Sequence, residues 1–405
     1  MTKKTGVRVV LQSASISSKK KKTVKSLRVD YAKLSLAIHK KLHGKIAIAP
    51  KAHLKTRTDW STFYTPGVAA VSSHLAKHPK EAREYSLKRN TVAVISDGSA
   101  VLGLGNIGPY GAIPVMEGKA LIFKEMADID AFPIVLDTQD TEEIIRTIKN
   151  IAPVFGGINL EDISAPRCFE IEERLKKELT IPVMHDDQHG TAVVALAGLI
   201  NAAKVVKKDI MTLKVVIVGA GAAGRAIALL LIKYGIKDVT LVDRSGAIEL
   251  ERVGLSGYKK ELARVTNPRH IKGELHDAVL GADVLIGVSG PGKIARAHIE
   301  AMGESPIVFA LANPIPEIMP EDAKRAGAVV IGTGRSDFPN QVNNSLVFPG
   351  IFRGALDRNV REITDEMKLA AAKKLASLVK SPSAENIIPK IETPGLVKAV
   401  ASVIR

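Results

Sequence analysis

The stretch VVIVGAGAAGRAIALL, residues 215–230, constrains the fold of this chain more than any other. It sets Gly219, Gly221 and Gly224 at G-x-G-x-x-G spacing between a β-branched apolar run and an apolar run of helical period. The first glycine permits a tight turn. The second lets the backbone, with Ala222 and Ala223 opening the helix beside it, approach a pyrophosphate. The third lets helix and strand pack closely. A further apolar run, DVTLVD, ends at Asp243, 24 residues after Gly219. An acid there accepts hydrogen bonds from an adenosine ribose. The pattern predicts a Rossmann-type dinucleotide site. Asp243 favours NAD, because a carboxylate repels a 2′-phosphate, while Arg244 and Ser245 keep NADP open. A glycine-rich turn in a plain α/β domain is the alternative.

Apolar runs alternate with helical patterns on both sides of this motif. TVAVISDG, FPIVLDT, GGINLEDI and IPVMHDD read as strands before it, and DVLIGVSGPG, PIVFALANPIPE and GAVVIGTG after it. This rhythm argues for an α/β fold with largely parallel sheets. The expected organisation is two domains: an N-terminal α/β domain for substrate and metal over residues 29–190, and a Rossmann-type parallel-sheet domain over 191–350. C-terminal helices over 351–405 pack back. In YTPGVAAVSSHLAKHP, Thr65-Pro66 predicts a helix start with proline at the first helical position.

Two acidic pairs stand at predicted strand ends, Glu161-Asp162 and Asp186-Asp187. Parallel strands gather their C-terminal ends at one sheet edge, so the pairs are expected to meet there. A hard divalent cation relieves their repulsion, and an all-oxygen donor set points to Mg²⁺ or Mn²⁺. His185 and His189 flank the second pair and leave a zinc site open. Helix capping by Asp187, with the other acids solvated, is the plainer reading. The sequence around Lys119 is no phosphate loop: Ile113 stands where a glycine is required, and Ala120 replaces the Ser/Thr.

The net charge of +16 raises nucleic acid as a partner. Residues 1–50 alone carry +12, and the remaining 355 residues only +4. The excess thus belongs to one end, and residues 1–28, with SSKKKK, read as a basic flexible tail. Nucleic acid is expected at most as a weak contact of that tail, beside solubilising and transit-peptide readings. Cys168 is the only cysteine, which fits a reducing cytoplasm, and no apolar run reaches membrane-spanning length.

Eight stretches in order resemble malic enzymes of the short prokaryotic type: YTPGVA, SDGSAVLGLGNIG, MEGKALIFK, NLEDI, HDDQHGTA, VGAGAAG, FALANP and PNQVNNSLVFPG, spanning residues 64–353. The resemblance implies oxidative decarboxylation of L-malate to pyruvate and CO₂ with NAD or NADP and a divalent cation, and a homodimer. It matches Glu161, Asp162 and Asp187 to metal ligands. Lys119 matches the base that takes the malate hydroxyl proton, Asp186 the acid that holds this lysine, and Tyr64 the acid that protonates the enol. Asn313, with Ser289 on the cofactor side, and Asn344 or Asn343, Asn344 before Asn343, match groups around substrate and nicotinamide. Larger members carry an arginine before LGLG that grips a malate carboxylate. Here Ser99 and Ala100 stand in that loop, so the carboxylate is expected on backbone amides of the Gly103 to Gly108 loop or on the metal. The competing readings are a non-decarboxylating hydroxy- or amino-acid dehydrogenase and a catalytically silent dinucleotide-binding regulator.

Overall fold

The computed structural model describes residues 30–405 apart from Ser256 and the side chain of Leu102. The basic tail expected over residues 1–28 lies outside the described residues. The chain divides into two units, residues 1–44 and 45–405. In the first, a helix spans Tyr31–Leu42; the Asp30 carboxylate accepts from Lys33 N at 3.1 Å and caps it, and none of its residues is buried.

The second unit holds two sheets. One contains β1 (Thr91–Ser96), β2 (Asp130–Val135), β3 (Gly157–Leu160) and β4 (Val183–His185), all parallel, in the order β2-β1-β3-β4. Every residue of β1 is buried, as its unbroken apolar run requires in a strand covered on both faces. The other contains β5 (Lys214–Val218), β6 (Asp238–Asp243), β7 (Gly246–Ala247), β8 (Val284–Gly287), β9 (Ile307–Ala310) and β10 (Val330–Thr333), in the order β10-β9-β8-β5-β6-β7. The order reverses between β5 and β8, which opens a crevice above their C-terminal ends.

Two local features go beyond or depart from the sequence reading. The second sheet is mixed, because β7 runs antiparallel to β6. The chain doubles back within three residues of Asp243, which Gly246 allows with φ +99°. Arg252 then braces the turn by donating to the carbonyls of Gly246 and Ala247 at 2.8 and 3.1 Å. The helix after Pro66 begins only at Val68. Residues 64–67 are used in leaving the preceding helix, Arg57–Phe63, with Gly67 N on Ser61 O and Val68 N on Tyr64 O, both at 2.8 Å.

The helix Asp186–Val205 joins the sheets physically. Fourteen of its twenty residues are buried, so it is apolar all round rather than on one stripe. It starts at the edge of the first sheet and packs along the fingerprint helix Ala222–Tyr234 of the second and along Asp365–Ser377. Asn201 in its last turns donates to Ala376 O and Ile387 O, both at 2.9 Å. The C-terminal helices contact helices of both earlier segments. Phe348 and Phe352, on the helix Phe348–Arg358, meet the Phe123 ring edge-on at centroid distances of 4.7 and 5.4 Å. Each such fully buried phenyl contributes about 1.5–3 kcal/mol from burial alone. Among the described residues no helix is long and apolar enough to cross a membrane.

Candidate active site

β3 and β4 are neighbours in register, Leu160 opposite His185, so the residues that follow them emerge side by side. Glu161 and Asp162 leave β3, and Asp186 and Asp187 form the first turn of the buried helix. Asp162 takes a left-handed conformation, φ 54°, and its N–H donates to Asp187 Oδ2 at 2.8 Å. One oxygen each from Glu161, Asp162 and Asp187 lies within 4.8 Å of the others. The helix begins at Asp186 with His185 at its N-cap position, so Asp187 is not the cap.

Lys119 reaches this cluster from the helix Gly108–Ala127. Its Nζ lies 2.7 Å from Asp186 Oδ2 and 2.8 Å from Glu161 Oε1, and 4.2 Å above the Phe348 ring. Lys119 is 7% exposed and Asp186 is fully buried. Asp186 fits only because residue 190 is glycine: a Cβ there would stand 1.9 Å from Asp186 Oδ1. The same Cβ would stand 3.0 Å from Asn344 Cβ, so Asn344 borders the pair. Asn343 instead spends its side chain on the backbone, with Oδ1 accepting from Ser345 N and Nδ2 donating to Gly334 O.

Burial disfavours the Lys119 ammonium, but Asp186, Glu161 and Asp187 together outweigh it and hold the lysine above its ordinary value. Burial likewise raises the acids; Asp186 and Asp187 are both pushed up to about 6 despite the lysine. Three converging oxygens, short of positive charge, suit a hard divalent cation. Among the described residues this trio is the only histidine, cysteine or carboxylate group that converges so. Neither His185 nor His189 belongs to this converging group, and His189 Nε2 is bonded to Glu172 at 2.9 Å.

Glu172 escaped the sequence reading. It is 4% exposed. Besides His189 it accepts from His185 N at 3.0 Å and from Gln188 Nε2 at 3.3 Å, and it pairs with Lys176 at 3.1 Å. It therefore fixes the turn that presents Asp186 and Asp187. A cavity of about 590 Å³ opens beside Glu172, His189 and Lys368, and none of the clustered acids nor Lys119 lines it.

The fingerprint has the geometry its spacing predicts. Gly219 has φ +113°, and a Cβ on Gly224 would lie 1.8 Å from Gly219 O. Gly221 faces open space, with nothing within 4 Å of its would-be Cβ, where a phosphate can approach the N-terminus of the helix carrying Ala222 and Ala223. Across the crevice the loops after β8 and β9 are pinned by Glu317, fully buried, which accepts from Ser289 N at 2.8 Å and Ala312 N at 3.1 Å. Asn313 O accepts from Gly103 N at 2.7 Å and ties this side to the first sheet's loop. Asp243 is held by Arg252 at 2.9 and 2.7 Å and by Lys259 at 2.6 Å, and these cations, against burial, bring it down to about 2. Its charge is already offset, so this strand end is compatible with either dinucleotide.

Two further expected groups have the following surroundings in the single chain. Tyr64, at the end of Arg57–Phe63, is 63% exposed and its hydroxyl bonds to none of the described residues. Four amides of the Gly103 to Gly108 loop are already engaged: Gly103 N donates to Asn313 O, Leu104 N to Val101 O, and Ile107 N and Gly108 N to Gly98 O.

Comparison with known proteins agrees with this geometry. Residues 43–176 match the family model for the malic enzyme N-terminal domain, and residues 188–403 that for the malic enzyme NAD binding domain. The NAD-dependent malic enzyme of Geobacillus stearothermophilus is 57% identical over 89% of this chain and 76% of its own length. The bifunctional malic/malolactic enzyme of Bacillus subtilis (strain 168) is 52% identical over 91% of both. A crystal structure of NAD-dependent malic enzyme from Thermotoga maritima superposes with a TM-score of 0.88 at 49% identity, covering 91% of this chain and 98% of that one.

The raised acids give a pH prediction. A cation binding at the trio must displace protons held up to about pH 6. Mn²⁺ affinity is therefore expected to fall as pH drops through about 6, with protons released on binding. Calorimetry in two buffers of different ionisation enthalpy reads that release, and an affinity constant between about pH 5 and pH 8 would contradict the site.

Proposed function

The chain belongs to the malic enzyme family, and on that premise we propose that it oxidatively decarboxylates L-malate to pyruvate and CO₂ while reducing NAD⁺ or NADP⁺. The observation that carries this reading is Lys119, buried between Asp186 and Glu161 at the head of the carboxylate trio. In the reaction Lys119 takes the proton of the C2 hydroxyl as hydride leaves C2. Asp186 aims the lysine and is itself kept in place by the space at Gly190. Glu161, Asp162 and Asp187 would hold a divalent cation, which would supply Lewis-acid charge for the C2 oxygen and offset the carboxylates that keep Lys119 protonated. NAD(P)⁺, held by Gly219, Gly221, Ala222, Ala223, Gly224, Asp243 and Ser289, supplies the hydride acceptor. Asn313, Asn343 and Asn344 border substrate and nicotinamide, and Asn344 meets Asp186 across the space left by Gly190. Once CO₂ has left, Tyr64 protonates the methylene carbon of the enol. The division of labour follows residues 29–190 for substrate and metal and 191–350 for the dinucleotide, with 351–405 supporting both.

We further propose that the enzyme works in the cytoplasm as a homodimer. Trp60 and Phe63 on one short helix and Tyr64 just after it are each more than half exposed, and none of the residues of Arg57–Phe63 or Val68–Lys77 is buried. Clustered exposed apolar side chains mark an interaction face, and Tyr64 stands on it, so assembly sets the surroundings of its hydroxyl.

Purified protein is expected to reduce NAD⁺ or NADP⁺ with L-malate and Mn²⁺, to lose this with chelator, and to form one pyruvate per cofactor reduced. Reduction without pyruvate would replace the reading with a non-decarboxylating dehydrogenase. For the assembly, light scattering is expected to give twice the chain mass. Phe63→Glu should yield monomer and shift the emission of Trp60, the only tryptophan, to longer wavelength. A wild-type monomer with solvent-exposed Trp60 emission would contradict the dimer.

A further inference from the structure

Malate carries two carboxylates, and only one leaves as CO₂. The other persists into pyruvate and must be gripped throughout turnover. A cation on the departing group would stabilise the reactant and slow its loss, so a fixed cationic grip belongs on the carboxylate next to C2. Lys119 is not available for it, being engaged by Asp186 and Glu161. The backbone amides of the Gly103 to Gly108 loop are largely spent.

Arg167 meets the requirement. It opens the helix Arg167–Glu178, five residues after Asp162. Its Nη2 donates to Asp97 Oδ2 at 2.8 Å, and Asp97 is 1% exposed at the end of β1. Asp97 Oδ1 is taken by Ser99 N at 3.0 Å and Ser99 Oγ at 2.5 Å. Ser99 Oγ accepts from Ser164 N, and Ala100 N donates to Asp162 O, both at 2.9 Å. These bonds stitch the loop after β1 to the loop that carries Glu161 and Asp162, so Arg167 is anchored against the metal-ligand loop itself. The anchor uses one donor of a guanidinium that has five. Its Nε is buried and without a partner among the described residues. The side chain as a whole is 28% exposed, so its remaining donors are reachable. Two residues on, Phe169 lies beneath Arg225 of the fingerprint helix at 4.6 Å, which sets this helix start at the edge of the dinucleotide crevice.

We propose that Arg167 binds the C2-adjacent carboxylate of malate, with Asp97 as the positioning residue that fixes its plane. The proposal rests on the malic enzyme reading above. A guanidinium fork suits a carboxylate better than an ammonium does. Arg167 thereby stands in for the arginine that larger family members carry in the loop where this chain has Ser99 and Ala100.

The test compares wild type, Arg167→Ala and Arg167→Lys in steady-state kinetics with L-malate and in direct binding of NAD⁺ and of Mn²⁺. The expected result is a KM for malate raised about 10- to 100-fold in Arg167→Ala. kcat should fall less, the NAD⁺ and Mn²⁺ dissociation constants should stay within about threefold, and added guanidinium should partly restore the KM. Arg167→Lys should recover only part of the affinity. A KM within about threefold of wild type in both variants would overturn the assignment. So would a loss of NAD⁺ affinity as large as the loss for malate, since that assigns Arg167 to the cofactor's phosphates. A wild type with no malate-dependent turnover would instead remove the functional reading and this inference with it.

Discussion

Four carboxylates and one ammonium at a single sheet edge set the terms for the rest of the molecule. Glu161, Asp162, Asp186 and Asp187 stand close together, and the Lys119 ammonium pairs with Asp186 and Glu161 among them. Like charges in a low-dielectric setting repel strongly, and desolvation adds to the cost. The fold opposes this with geometry. β3 and β4 lie side by side, the helix dipole at Asp186 and Asp187 favours negative charge, and Glu172 ties the turn from below. The arrangement remains short of positive charge, which is the physical reason for a cation there.

That edge communicates with the dinucleotide crevice through rigid parts. The helix that begins with Asp186 continues as the buried partner of the fingerprint helix, so the acids and Gly221 belong to one packed pair of helices. The hydrogen bond from Gly103 N to Asn313 O spans the two sheets at the other side. Phe123 and Phe348 meet edge-on beside Lys119 and bring the helix Phe348–Arg358 into contact with the lysine's own helix. Hydride transfer requires donor and acceptor at fixed separation, and these three connections supply the fixing.

The sequence was most legible where residue type alone dictates geometry. Gly219 and Gly224 announce their turn because a side chain there is strained or clashes, Gly221 leaves open space beside the helix start, and two adjacent acid pairs after apolar runs are hard to explain without a cation. Glu172 could not be read: in EIEERLKKE it looks like Glu170 and Glu173, and only the tertiary fold turns it toward His185. Glu317 and the Asp97–Arg167 pair depend on loops distant in the chain. The two-residue β7 was too short to show any period. Asn343 and Asn344 are distinguished only by which one caps the backbone. Tyr64 was picked out by its motif, and nothing in local sequence states what surrounds an exposed side chain.

The account stands on Lys119 as the group that moves the proton. The most direct measurement is the single-turnover rate of Lys119→Ala with Mn²⁺ and cofactor bound, with and without added ammonium. The account predicts a fall of about 10²- to 10⁴-fold, unchanged NAD⁺ and Mn²⁺ affinity, and a partial return of rate that grows with the concentration of free amine. A rate within about tenfold of wild type, or a loss that accompanies lost Mn²⁺ affinity and no amine rescue, would contradict it.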